Sequence, residues 1–262
     1  MAWHRIKALI IRHLYLYKRS FPRIMDIVFW PFLELLLWGF LSMYLRELNL
    51  PGANIVSVLL GAVIFWSMLN QAQRAVSVSF LEDVWEKNFL NLFVSPLTLS
   101  EFIVSRALIG IIQIIIVGTV SAIAAFILYQ FNILLFGFAL IPFVLELLVF
   151  GWTLGLFTIA IIFRWGTDAQ IIAFSLLFLI QPFSAVFYPV SALPETVQWL
   201  AYMLPSSYIF EGMRQVISGG GFPGEALIWA SAINLIYLVG VTVLLYFVFN
   251  KVKAMGRLLK MD

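Results

Sequence analysis

The chain has 262 residues, of which 63% are hydrophobic and only 11% charged, and its mean hydropathy is +1.02. Soluble domains carry about 25% charge because polar surface must cover their core. So little charge excludes a water-soluble fold and predicts an all-α polytopic membrane protein, a single transmembrane domain over residues 1–262 whose outer face is left to lipid. The net charge of +3 lies beside apolar segments with no long basic tract, which points to anionic head groups as counter-charge and excludes nucleic acid.

Cysteine is absent, which removes disulfides, thiolate metal sites and cysteine nucleophiles. The two histidines, His4 and His13, stand in the basic amino-terminal segment and do not assemble a metal site. That segment, residues 1–23, is basic and amphipathic, unlike the apolar core of a cleavable signal peptide. Trp3, Ile6, Ile10, Leu14 and Tyr17 recur at steps of three and four, while Arg5, Arg12 and Arg19 form a separate ridge. A helix lying in the membrane interface is predicted, its apolar stripe in the acyl boundary and its bases toward head groups or a partner.

Six apolar stretches are long enough to cross a bilayer, at residues 27–45, 54–73, 102–128, 134–163, 169–188 and 226–249. The fourth is long enough to be tilted, broken, or kinked near Pro142. Six crossings put both termini on one side. With the termini inside, fourteen of the sixteen Lys and Arg residues face the cytoplasm and only Arg46 and Arg214 face out, the bias expected of cytoplasmic loops. The expected location is the inner, cytoplasmic membrane, crossed several times.

Between the second and third crossings, Leu81, Val84, Trp85, Phe89, Leu92 and Phe93 recur with helical spacing, and Glu82, Asp83 and Glu86 make another face acidic. A cytoplasmic amphipathic helix within residues 76–98 is predicted, its acids suited to the basic rim of a protein groove. It ends before Pro96. Thr98 and Glu101 then read as a capping box that starts the third crossing.

Residues 189–224, between the fifth and sixth crossings, mix Pro194, Pro205 and Pro223 with Leu193, Trp199, Leu204 and Tyr208. This is too apolar for a solvated loop and too interrupted for a crossing. Re-entrant outer helices that enter the outer leaflet and return fit the pattern, provided that protein buries their backbone ends. Glu211 and Arg214, three apart, share one helical face.

The outer segment resembles the carboxy-terminal signature of the ABC-2 type permeases. The matching residues are Phe187, Tyr188, Pro189 and Val190, then Leu193, Pro194, Gln198, Leu200 and Ala201, then Leu204, Pro205, Tyr208, Glu211 and Arg214. The cytoplasmic connection is similar to the coupling segment of that family in Glu86, Lys87 and Asn88, in Leu90 and Leu92, in Val94 through Leu97, and in Glu101. It departs from the usual pattern at Asn88, Phe89 and Asn91.

The resemblance implies a permease subunit of an ATP-driven exporter of amphipathic, drug-like or lipid-linked compounds. It implies a second permease copy, identical or related, and ABC ATPase subunits that bind ATP and Mg. Trp85, Glu86, Asn88, Phe89, Leu92, Ser95 and Pro96 would couple this chain to the ATPase. Tyr188, Pro189, Leu193, Pro194, Pro205, Tyr208, Glu211 and Arg214 would form the outer signature. The chain has no GxxxxGK[ST] motif, so no nucleotide site, cofactor or catalytic residue is expected within it.

Two acids fall inside predicted crossings, Glu34 and Glu146. An ionised carboxylate at mid-bilayer costs on the order of 2.5–3.5 kcal/mol. Each therefore belongs either to a substrate pathway or to a hydrogen-bonded packing contact. Gly151 and Gly155 have the GxxxG spacing that permits close helix approach. Two other functions use the same residues: a proton-coupled carrier or translocase scaffold relying on Glu34 and Glu146, and an intramembrane lipid-modifying enzyme with Glu82, Asp83 and Glu86 as metal ligands.

Overall fold

The computed structural model describes residues 2–48, 55–86 and 95–255. The chain is all-helical, with no strand among the described residues. Its helices are α1 (Trp3–Arg19), α2 (Phe21–Glu47), α3 (Ile55–Trp85), α4 (Leu99–Tyr129), α5 (Leu140–Trp165), α6 (Gln170–Ile180), α7 (Glu195–Tyr202), α8 (Pro205–Ile217) and α9 (Gly224–Ala254). A 3-10 segment, Ile133–Ala139, precedes α5.

Five of these segments are long and apolar enough to cross a membrane: α2, α3, α4, α5 with its 3-10 lead, and α9. The fifth expected crossing, 169–188, is shorter than read from the sequence. Helical structure there spans Thr167–Phe183, 17 residues. Pro182 turns its end into a 3-10 turn, and Pro189 opens another.

The fourth stretch breaks at Gly137 rather than at Pro142. Gly137 takes φ 50° and ψ −130°, a conformation that suits a residue without Cβ. Pro142 falls in the first turn of α5, where its missing N–H removes no helical bond.

The centre of the bundle is α3. It packs on α2, α4 and α5 and touches α6 and α8, and α5 in turn packs on α9. The spacing of Gly151 and Gly155 explains how closely α3 and α5 approach. A Cβ on Gly151 would stand 2.4 Å from the Ala72 Cβ and 3.0 Å from the Leu69 carbonyl oxygen, and one on Gly155 would stand 2.7 Å from the Val76 Cβ. Above this contact Phe65, Phe136 and Phe143 fill the core, and below it Phe80, Phe102 and Phe163 do.

Two expectations for the flanking segments change. Residues 76–85 do not form a separate amphipathic helix; they extend α3, with Leu81 and Val84 buried in its packing. The apolar period there is real, and the surface it buries belongs to this chain. Nor does α1 keep all of its bases for head groups, although Lys7, Lys18 and Arg19 stay exposed. It packs on α4 and α2, burying Ile6 and His13 while Trp3 and Leu14 stay exposed. Arg5 and Arg12 turn toward acids at the ends of α3 and α4.

Candidate functional site: a track along α3 between a charged base and a cap

The charged base forms where α1, α2, α3 and α4 meet. Glu101 closes the capping box of α4: its backbone N–H donates to Thr98 Oγ1 at 3.3 Å, and its carboxylate accepts from the Thr98 N–H at 3.0 Å. The other carboxylate oxygen accepts from the Ala2 N–H at 2.6 Å, which ties α1 to the start of α4. Arg5 lies 3.6 Å from Glu101 and also donates to the Pro96 carbonyl.

Asp83 and Arg106, 3% and 2% exposed, pair inside this base, and Arg12 reaches Asp83 at 3.1 Å. Arg23 bonds Glu86 at 2.6 Å and Glu82 at 3.4 Å, and Arg74 pairs with Asp26. The acids Glu82, Asp83 and Glu86 are thus occupied by arginines of the same chain. They present neither a free acidic face for a partner's basic rim nor an open metal site.

His13 completes the base. An arginine can only donate, so His13 Nδ1 accepts from Arg106 Nη1 at 2.5 Å and the ring is neutral. Burial first, and then the charges of Arg106, Arg23 and Arg12, hold its pKa down at about 2. Burial and the nearby Glu82 raise the Tyr17 phenol to about 12.

From this base a string of three cavities runs along α3. The first, about 280 Å³, is lined by Tyr17, Arg23, Glu82 and Trp85. It shares Asp26, Gln71, Arg74 and Phe174 with the second, about 330 Å³. The second shares Glu34 and Phe178 with the third, about 390 Å³, which reaches Gln181, Phe187 and Tyr188. Walls come from α2, α3 and α6.

The polar side of the track is a stripe on α3: Ser67, Asn70, Gln71, Gln73 and Arg74. Ser67 Oγ donates to Glu34 at 3.1 Å, Gln71 to Gln113 at 2.9 Å and Gln73 to the Ala173 carbonyl at 3.1 Å. Trp30, Trp38, Trp66 and Phe178 supply the aromatic side, and Pro31 bends into the wall from within α2. Glu146 is not on the track. Asn234 donates to its carboxylate at 2.6 Å and Ser231 at 2.5 Å, a packing contact between α5 and α9.

A cap built from residues 186–217 closes the far end. The Trp38 ring of α2 stacks on Phe187 at 3.8 Å and 18°. Arg214 bonds Glu211 and donates to the Val186 carbonyl, while Glu211 accepts from the Val190 N–H at 2.7 Å. The pair therefore holds the backbone of 186–190 on α8. Pro194 caps α7, and Pro205 opens α8. Tyr188 donates to the Pro182 carbonyl and Tyr208 to the Tyr202 carbonyl, and Leu193 accepts through its carbonyl from Gln198.

Of the residues matched to a coupling segment, Trp85 and Glu86 end α3, and Trp85 Nε1 donates to Gln170 on α6 at 3.0 Å. Ser95 and Pro96 are exposed beside α1. Asn88, Phe89 and Leu92 lie outside the described residues. Sequence reading missed the α3 polar stripe and the His13–Arg106–Asp83 group. Five polar residues between positions 67 and 74, inside an otherwise apolar crossing, were the available signal for the stripe.

Five membrane-length helices, two of which help to line a partly polar track, fit a multi-pass membrane transport component. Residues 4–218 match the ABC-2 type transporter family, and the chain belongs to it. It is a permease subunit, a transport component that is not itself catalytic, in a family that works with ABC ATPases. No curated protein matches the sequence.

Proposed function

We propose that the chain is the permease subunit of an ATP-driven exporter that moves an amphipathic, drug-like or lipid-linked compound out of the cytoplasm or the inner leaflet. The observation that carries this reading is the track along α3, polar on one wall and aromatic on the other, within an ABC-2 family chain. An amphipathic solute needs both walls.

The termini face the cytoplasm, on the division of bases between the two ends. Residues 167–183, at the short end of the length that spans a bilayer, make the fifth of six crossings in a thinned or locally shielded region. Residues 189–224 close the outer end as re-entrant helices, and residues 85–96 receive force from an ATPase that binds ATP and Mg. A second permease copy, identical or related, completes the exporter. In a proton-coupled carrier Glu34 and Glu146 would have to share a path, yet they stand in different contacts.

The absence of native cysteine makes the track directly testable. Ser67→Cys, Asn70→Cys and Phe178→Cys, each reconstituted with the ATPase subunit, should react with a water-soluble maleimide and lose ATP-driven transport of lipophilic dyes on reaction. Leu37→Cys and Ile236→Cys, on outward faces, should do neither. Inert track positions, or transport that survives their modification, would remove the pathway from this cleft. Phe89→Asp should abolish co-purification with the ATPase; full retention at normal expression would place coupling elsewhere.

A further inference from the structure

A further cavity lies off the track. It is a groove of about 880 Å³ between the end of α5, the start of α6 and the last turns of α9. Its walls include Phe157, Ile161, Ile172, Leu244 and Phe247, and its rim carries Arg164, Asp168 and Lys251. Phe247 and Ile171 are about two-thirds exposed, so the groove opens outward from the bundle. Its volume falls within the range of roughly 300–1,000 Å³ typical of ligand sites.

The bases of the rim differ from those of the charged base. Arg5, Arg12, Arg23, Arg74 and Arg106 each meet a carboxylate. Among the described residues Arg164 and Lys251 form no ion pair, and Arg164 lies over the exposed ring of Trp165, 5.8 Å from its centroid. Two cations against the single carboxylate of Asp168 leave the rim net positive above an apolar trough, at the end of the bundle where bases gather.

We infer that this groove binds an anionic glycerophospholipid, with its phosphate between Arg164 and Lys251 and an acyl chain along the α5–α9 wall. Basic pockets between crossings on the positively charged side suit such head groups, and Trp165 marks the depth at which a head group sits. A second copy of this chain is a poorer occupant. Glu47, Glu195 and Glu225 lie toward the opposite end of the bundle, and Glu82, Asp83, Glu86 and Glu101 are engaged by arginines. Zwitterionic choline lipid would bring its own cation against two bases. The inference requires that the chain span a membrane, not that it export anything.

The test is native mass spectrometry of the full-length chain, alone and with its ATPase subunit, in neutral detergent with equimolar dioleoylphosphatidylglycerol and dioleoylphosphatidylcholine. The wild type should retain the glycerol lipid preferentially. Arg164→Gln with Lys251→Gln should reduce that preference by roughly five-fold per base, about twenty-five-fold together. Arg164→Lys with Lys251→Arg should keep it, and Lys253→Gln, off the groove, should leave it unchanged. Equal retention of both lipids by the wild type, or an equal loss in Lys253→Gln, would reduce the effect to diffuse surface charge and overturn the site. Retention that vanishes once the ATPase is bound would give the groove to that subunit.

A second measurement needs no charge variant. Phosphatidylglycerol with brominated chains should quench the wild type more than Trp165→Phe. Identical quenching in the two would also overturn the site.

Discussion

Helices α2 and α3 are similarly apolar and both long enough to span a membrane, yet they hold opposite positions. Of the most apolar stretch of α3, 72% is buried within the protein, against 17% for α2. Hydropathy measures how well a helix leaves water, not what it then touches. In lipid, packing partners are chosen by small residues and hydrogen bonds. What separates α3 is its polar stripe and the glycines of α5 that receive it; α2 instead exposes Leu37, Phe40 and Tyr44.

The largest expected effect lies at the buried charged end of α3. Arg106→Met removes the closest partner of Asp83 and the donor to His13, and a broken buried pair costs about 3–5 kcal/mol. Thermal unfolding in detergent should show a large loss or no folded protein. Arg46→Met, at the exposed end of α2, should stay within about 0.5 kcal/mol. Equal effects at the two sites would erase the distinction between the helices.

Glycine substitutions sharpen it further. Gly151→Ala pushes a methyl against the α3 backbone and should cost at the upper end of about 1–3 kcal/mol. Gly39→Ala on α2 first meets the far end of the Tyr129 side chain, which can shift more easily than backbone, so a smaller fall in melting temperature is expected. A larger fall for Gly39→Ala would mean that the α2 contact is the rigid one.

The next effect is a pH dependence in the docking of α1. The His13 pKa is about 2 when folded, against 6.5 in free peptide. A lowered histidine stabilises above 6.5 and loses that contribution as pH falls below it. Between pH 7.5 and 5 the loss is about 2 kcal/mol, from about 1.36 kcal/mol per pKa unit. Hydrogen exchange in α1 should rise over that range, and His13→Gln should flatten the rise. An unchanged pH slope in that variant would assign the effect to another group. The smallest effect is expected of Leu37→Ala, an outward position on α2, within about 0.5 kcal/mol in the same melting assay.

Five of the six crossings were legible because runs such as 107–128 carry almost nothing but apolar residues, and the capping box because Thr98 and Glu101 stand three apart before such a run. The division of Glu34 from Glu146 was not legible. Both are single acids in apolar helices, and only the neighbours brought by folding, Ser67 for one and Asn234 with Ser231 for the other, tell a track from a packing contact. The bases of α1 misled for a related reason. Periodicity shows which residues share a face but not whether lipid phosphate or a carboxylate 71 residues away, as for Arg12 and Asp83, will meet it. Residues 76–85 carry an amphipathic period that suits a free helix and an extended one equally, and nothing local distinguishes them.

The unbroken run of α3 makes it a lever. Thirty-one residues of α-helix form a rod about 46 Å long, with Trp85 at one tip and the track residues Ser67 and Asn70 partway along its length. No proline or glycine joint lies between them. A turn of the rod about its own axis at Trp85 therefore swings Ser67 and Asn70 through the same angle. The Gly151 and Gly155 seam, where α5 seats the Ala72 and Val76 side chains of α3, is the surface against which such a rotation meets most resistance, so α5 must turn with the rod or part from it, and any tilt is opposed at the base by the arginines clamped to Glu82, Asp83 and Glu86.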